Sequence, residues 1–170
     1  MTQAQAGAIE LAYVDEAGFA PQPPNRSAWT AKGETHAVAP KRAKRLNVIG
    51  ALLSSGRLFM TKLWWNVSGL YFFAFLMALV ERVKKPLVVI LDNASIHTAK
   101  SLQPYWELLE EKGLRFYFLP PYSPELNRIE MLWRKMKYEW LPFKTFTPEE
   151  LEQAIGEIGA GFGSEYMLTF

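Results

Sequence analysis

The sequence contains no cysteine and only two histidines, His36 and His97. A disulfide framework, a thiol nucleophile and a cysteine-type zinc site are excluded, and so is a three-histidine zinc site. Any metal site must lean on carboxylate oxygens, which suit hard ions such as Mg2+ or Mn2+. Long apolar runs are also missing. The longest, LYFFAFLMALV at residues 70–80, falls well short of the ~20 residues needed to cross a bilayer. The N-terminus lacks a basic region followed by an apolar stretch, so no signal peptide is read. No membrane partner is expected. Neither a G-x-S-x-G nucleophile elbow nor a G-x-x-x-x-G-K-[ST] phosphate loop occurs. A serine hydrolase is disfavoured, and so is a GTPase built on the Asp-x-x-Gly of DEAG.

What is present suits one globular domain over residues 1–170. Hydrophobic content is 49% and charged content 21%, so a packed core is within reach and disorder is not expected. Net charge is only +2, which by itself names no nucleic-acid partner. The cations are clustered, however: Lys41, Arg42, Lys44 and Arg45 in PKRAKR, and Arg128, Arg134, Lys135 and Lys137 in RIEMLWRKMK. Each run reads either as a solvated face or as a DNA contact.

Apolar runs and turn signals predict a mixed α/β chain. IELAYVDEAGF reads as a strand ending at Asp15 or Glu16 and stopped by Gly18. AWTAKG reads as a short strand. RLNVIGALLSSGRLFMTKLWW reads as two strands joined at SSG. NVSGLYFFAFLMALVERVKK reads as a helix capped by Asn66 or Ser68 and, being apolar nearly all round, deeply buried. PLVVILD is a strand covered on both faces, as a parallel or central strand is. TAKSLQPYWELLEEKG is a helix ended by Gly113, and LRFYFLP a further strand. PELNRIEMLWRKMKYEW is read as one helix burying Leu126, Ile129, Leu132, Trp133, Met136 and Trp140. TPEELEQAIGEI carries a capping box at Thr147 and Glu150. The order is three antiparallel strands, helix, strand, helix, strand, helix, helix.

Two acids stand at the ends of apolar strands, Asp15 and Asp92. Active sites in sheets flanked by helices gather beyond such strand ends. The plain alternative is that each acid caps a turn. Glu130 shares a helix side with Leu126, Trp133 and Arg134. An acid beside apolar neighbours needs compensation, either from a cation held between carboxylates or from an ion pair with Arg134. Three acids without cysteine fit two-metal displacement at phosphorus.

VDEAGF, ILDNASIHTAK and LPPYSPELNRIEMLWRKMK, in that order, resemble the catalytic domain of mariner-like transposases, above all their bacterial insertion-sequence relatives. The resemblance runs from about residue 9 to 158, and its most specific part is the Tyr-Ser-Pro-Glu-Leu-Asn run followed by Ile-Glu and Leu-Trp. It implies a DDE-superfamily enzyme with a ribonuclease-H-like mixed sheet flanked by helices. It implies Asp15, Asp92 and Glu130 as catalytic metal ligands for Mg2+ or Mn2+, in two sites. Neighbours on a strand face opposite sides, so only one of Asp15 and Glu16 can face the site, and the resemblance implies Asp15.

The implied reaction is phosphodiester hydrolysis at transposon ends, then strand transfer to target DNA. Lys41, Arg42, Lys44, Arg45, Arg128, Arg134, Lys135 and Lys137 become DNA-binding residues, with Asn93, His97 and Asn127 beside the site. A nuclease or resolvase without strand transfer, and a non-enzymatic DNA-binding remnant, are the rival readings. The chain departs from the family in carrying Arg128 where proline is usual, and in a slightly long separation of 37 residues between Asp92 and Glu130. With Asp15 only 14 residues from Met1, no helix-turn-helix module is expected within this chain. The expected partners are therefore DNA and a separate or frameshift-fused N-terminal DNA-binding portion, with a homodimer left open. The expected place is the bacterial cytoplasm, at the nucleoid.

Overall fold

The computed structural model describes residues 7–24, 31–34, 44–92, 103–121 and 123–168. Five strands form one sheet: β1 (Glu10–Phe19), β2 (Leu46–Leu53), β3 (Leu58–Leu63), β4 (Leu87–Leu91) and β5 (Leu114–Phe118), in the order β3-β2-β1-β4-β5. β1, β2 and β3 run antiparallel, while β4 runs parallel to both β1 and β5. Among the described residues, four helices cover the sheet: α1 (Gly69–Val83), α2 (Gln103–Glu111), α3 (Ile129–Lys135) and α4 (Pro148–Ala160). This is the mixed, helix-flanked sheet that the sequence predicts.

Strand alternation divides the core in two. Ala12 and Val14 of β1 and Leu87, Val89 and Leu91 of β4 face α1 and α2, whose Phe72, Phe75, Leu76, Leu79 and Leu109 fill that layer. Tyr13, Ala17 and Phe19 face the opposite side, against Ile129, Leu132 and Trp133 of α3 and Leu151, Ile155 and Ile158 of α4. Helix boundaries follow local chemistry. Ser68 caps α1 by accepting from the Tyr71 amide, and Thr147 and Glu150 close a reciprocal capping box at α4.

Four expectations need correction. β1 does not stop at Asp15 or Glu16, because pairing with β2 continues the ladder to Phe19. Of AWTAKG, residues 28–30 lie outside the described residues, and the rest joins a turn in which the Glu34 amide donates to the Ala31 carbonyl. α1 is not buried all round: with the sheet on one side only, Leu70 and Tyr71 stay exposed. The segment after PYSP is not one α-helix. A 3-10 turn (Pro124–Leu126) precedes α3, and a π turn (Met136–Trp140) follows it, closed by the Leu141 amide on the Met136 carbonyl. Pro142 prevents the helix from running on. Leu126, read as a core position, is exposed on the 3-10 turn.

An acid unremarked in the sequence anchors the far end of β1. Glu10 is buried, and its Oε1 accepts from Ser54 Oγ and from the Ser55 amide, both at 2.7 Å. Burial pushes the Glu10 carboxyl up, but these bonds and Arg57 outweigh it and hold the group below its usual range. The linked stability is present above the ordinary carboxylate pKa and is lost as pH falls through the lowered folded value. Glu10→Ala is expected to cost about 2 kcal/mol or more in urea unfolding, given ~1.5–3 kcal/mol for a hydrogen bond to a charged group.

Candidate active site

β1 runs on past the end of β4 in the direction of the site. The pairing of the two strands goes from Glu10↔Leu87 to Tyr13↔Ile90. Carried two residues further, that register sets Asp15 level with Asp92. The faces agree as well. Leu87, Val89 and Leu91 point to the α1 layer, so alternation turns Asp92 to the α3 side. Asp15 lies on that same side, where its Oδ2 accepts from Trp133 Nε1 at 3.0 Å. Asp15 is thus not at the end of its own strand. It sits where the β4 ladder stops and the sheet opens beside it.

α3 brings Glu130 over this opening. Burial raises the Asp15 carboxyl from 3.8 to about 7, with the Glu130 charge the next cause and Glu16 a smaller one, against lowering by the Glu16 amide and Trp133. Asp15 is therefore short of water, with a second carboxylate close enough to repel its charge. Asp92 stands half-buried at the tip of β4. Glu130 itself is exposed, because its position on α3 turns away from Ile129, Leu132 and Trp133. Glu130 is therefore not enclosed by apolar neighbours, and its charge acts on Asp15 instead.

Asn127 is buried at the approach to α3. Its Nδ2 donates to the Val14 carbonyl at 3.2 Å, next to Asp15, while its Oδ1 has no hydrogen-bond partner among the described residues. Asn93 and His97 lie outside the described residues. Among the described residues, no three acids or histidines are gathered closely enough to hold one ion between them. In kind, though, the donors fit a hard divalent cation: two mutually repelling carboxylates, one of them held partly protonated by burial, are the set that such an ion stabilises.

The basic residues divide. Lys41 and Arg42 lie outside the described residues, and Lys44 and Arg134 are exposed. Lys135 is turned to Glu139 in an ion pair four residues along the helix. Arg128 lies over the Tyr13 ring at 5.7 Å, with a φ of −57° that proline also adopts. Lys137 is the cation most closely tied to the acids. It lies over Phe19 at 5.4 Å, and burial lowers its pKa while Glu130 and Asp15 act to raise it and Arg45 to lower it. Arg45 and Lys137 line a cleft of about 410 Å³ with Phe19, Tyr138 and Phe146.

The sequence matches the DDE superfamily endonuclease family over residues 10–151. The chain belongs to that family. In fold, the DDE domain is similar to the Mos1 mariner paired end complex with Mn at a TM-score of 0.64, with 19% identity over 91% of this chain and 48% of that one. It is also similar to the HTLV-2 integrase catalytic core domain in complex with magnesium, at a TM-score of 0.50 and 11% identity over 95% of this chain and 88% of that one. A curated relative, the uncharacterized protein y4pE/y4sA of Sinorhizobium fredii, is 37% identical over 59 residues, 35% of this chain and 39% of its own length. The DDE domain thus spans less than half the length of the Mos1 chain it resembles.

Two features around Asp15 escape a reading of the sequence. Trp133 was legible as core, not as the donor to Asp15. Gly50, the β2 partner of Asp15, lies directly under the Trp133 ring. The available signal was a glycine inside the apolar strand LNVIGALL, where a close approach is the usual reason.

Proposed function

We propose that this chain is the catalytic domain of a mariner-like transposase, cutting a phosphodiester at a transposon end and joining the freed 3′-hydroxyl to target DNA. The observation that supports the proposal is the buried Asp15, whose strand register carried two residues on reaches Asp92 and whose carboxyl feels the charge of Glu130 on α3. Asp15, Asp92 and Glu130 would hold divalent cations, Mg2+ or Mn2+. Bound there, such ions activate the attacking water or hydroxyl and stabilise the leaving oxygen. The Mn and magnesium complexes of the similar structures support this choice.

The residues contribute separately. The strand ladder on β2 holds Asp15 stiffly. Lys137, beside Asp15 and Glu130, places positive charge where a phosphate must approach two acids. Arg45, which lines the same cleft as Lys137, adds a second cation there. Contacts of this kind position DNA without reading its sequence. We propose that recognition of transposon ends falls to a DNA-binding portion additional to this domain, as a separate or fused N-terminal unit.

Nicking of supercoiled plasmid tests the reaction class. Cleavage is expected with Mg2+ and Mn2+ and little with Ca2+, whose looser shell positions a nucleophile poorly. Equal rates with Ca2+, or cleavage that survives excess chelator, overturn the proposal. A second measurement addresses the cleft. Arg45→Ala and Lys137→Ala should weaken binding to all duplexes alike. Each phosphate left without its cation should lower the slope of log K against log salt by roughly 0.9. An unchanged slope returns the pair to solvated surface.

A further inference from the structure

We infer that Trp133 and Gly50 act as a positioning pair for Asp15: the indole N–H fixes one carboxylate oxygen, and the absent side chain at residue 50 lets the ring reach it. The inference rests on the reading of Asp15 as a metal ligand.

Gly50 faces Asp15 across the β1–β2 ladder. A Cβ there would lie 2.5 Å from Cη2 and 2.8 Å from Cζ2 of Trp133, and 3.0 Å from Ile129 Cδ1. No side chain fits beneath that ring. Nor does the backbone require glycine, since Gly50 is not among the residues with positive φ. The glycine is therefore explained by the indole lying against β2. Phe19 meets the same ring edge-on, at 6.1 Å between centroids and 77° between planes. The ring is 2% exposed and so has little freedom.

Filling the space asks only for an aromatic or aliphatic group. The indole adds a single polar atom, and that atom donates to Asp15 Oδ2 at 3.0 Å. A free carboxylate turns about χ2 with two nearly equivalent settings. A donor to one oxygen fixes the carboxylate plane and leaves the second oxygen for the proposed metal. Partners behind a ligand that orient it commonly govern metal affinity by about 10–100-fold.

Calorimetric titration of the whole chain with Mn2+ tests this. Trp133→Phe keeps a ring and removes the donor, whereas Gly50→Ala pushes the indole off the strand. Both are expected to weaken Mn2+ binding by about 10–100-fold, and to raise by the same factor the Mn2+ concentration giving half-maximal plasmid nicking. A merely structural role would lower thermal stability and leave Mn2+ affinity alone. Unchanged affinity in folded Trp133→Phe overturns the inference while Asp15→Asn still loses Mn2+ binding. Unchanged affinity in Asp15→Asn brings down the metal-ligand reading as well. In the unsubstituted protein, the Trp133 indole N–H resonance is expected to shift as Mg2+ is added, at the midpoint of binding. An indole resonance indifferent to Mg2+ overturns the inference even where neither variant folds.

Discussion

Asp15→Asn, Asp92→Asn and Glu130→Gln are each expected to reduce metal-dependent nicking by a thousandfold or more, about 4 kcal/mol of transition-state stabilisation at ~1.4 kcal/mol per tenfold. The size follows from what each loses. Amides are poor ligands for a hard cation, and the cation's charge stabilisation is worth several kcal/mol. The substitutions are nearly isosteric, so the fold should survive all three. In Asp15→Asn the amide oxygen can still accept from Trp133, which keeps the α3 contact seen in the native protein. Plasmid nicking under saturating Mn2+, with thermal unfolding as the folding control, measures both effects. Near-normal cleavage by Glu130→Gln would move the third ligand elsewhere, with Glu125 the next candidate. Glu139 is already engaged by Lys135.

The sequence was most legible where a local rule coincided with the tertiary answer. The Thr147–Glu150 capping box and the SSG hairpin turn needed nothing beyond their neighbours, and both are present. The run of β4 announced a doubly covered strand, which is its place between β1 and β5. Legibility failed where a distant partner decides. Apolar residues around α1 implied burial all round, yet α1 meets one sheet face and the neighbouring α2, which leaves Leu70 and Tyr71 exposed. Helical spacing joined Leu126 to α3, but the chain there is tied down by Asn127 on the Val14 carbonyl, a contact 113 residues away in sequence.

The site shows the same division. The proposed triad rests on motifs, and the common face of Asp15 and Asp92 follows from strand alternation. The Trp133–Asp15 bond could not be read, because a tryptophan at core spacing looks the same with or without a polar partner. Helical spacing misjudged the surroundings of Glu130, which the motif also singles out. Its environment is solvent on one side and Asp15 on the other, not the apolar pocket that its helical neighbours suggested.

Metal affinity is expected to fall steeply with acidity in a range where ordinary carboxylates are indifferent. Asp15 titrates at about 7 in the metal-free protein, chiefly through burial and then through the Glu130 charge. A cation must displace that proton, so each pH unit below 7 should weaken binding by up to tenfold. Between pH 7 and pH 5 the loss approaches a hundredfold. A carboxyl at its usual 3.8 would show almost none of it. Stability without metal carries the matching sign. The folded pKa lies above the unfolded one, so the contribution is fully present below 3.8 and is lost as pH rises through about 7. The ceiling on that loss is about 4 kcal/mol at ~1.36 kcal/mol per pH unit, and water reaching the half-buried group reduces it. Mn2+ titrations at a series of pH values, paired with urea unfolding of the metal-free chain, measure both slopes. Asp15→Asn should flatten the stability slope while keeping the fold. Mn2+ affinity constant from pH 5 to pH 8 would show that binding displaces no proton from Asp15, and a stability slope surviving in Asp15→Asn would show that Asp15 is not the buried acid described.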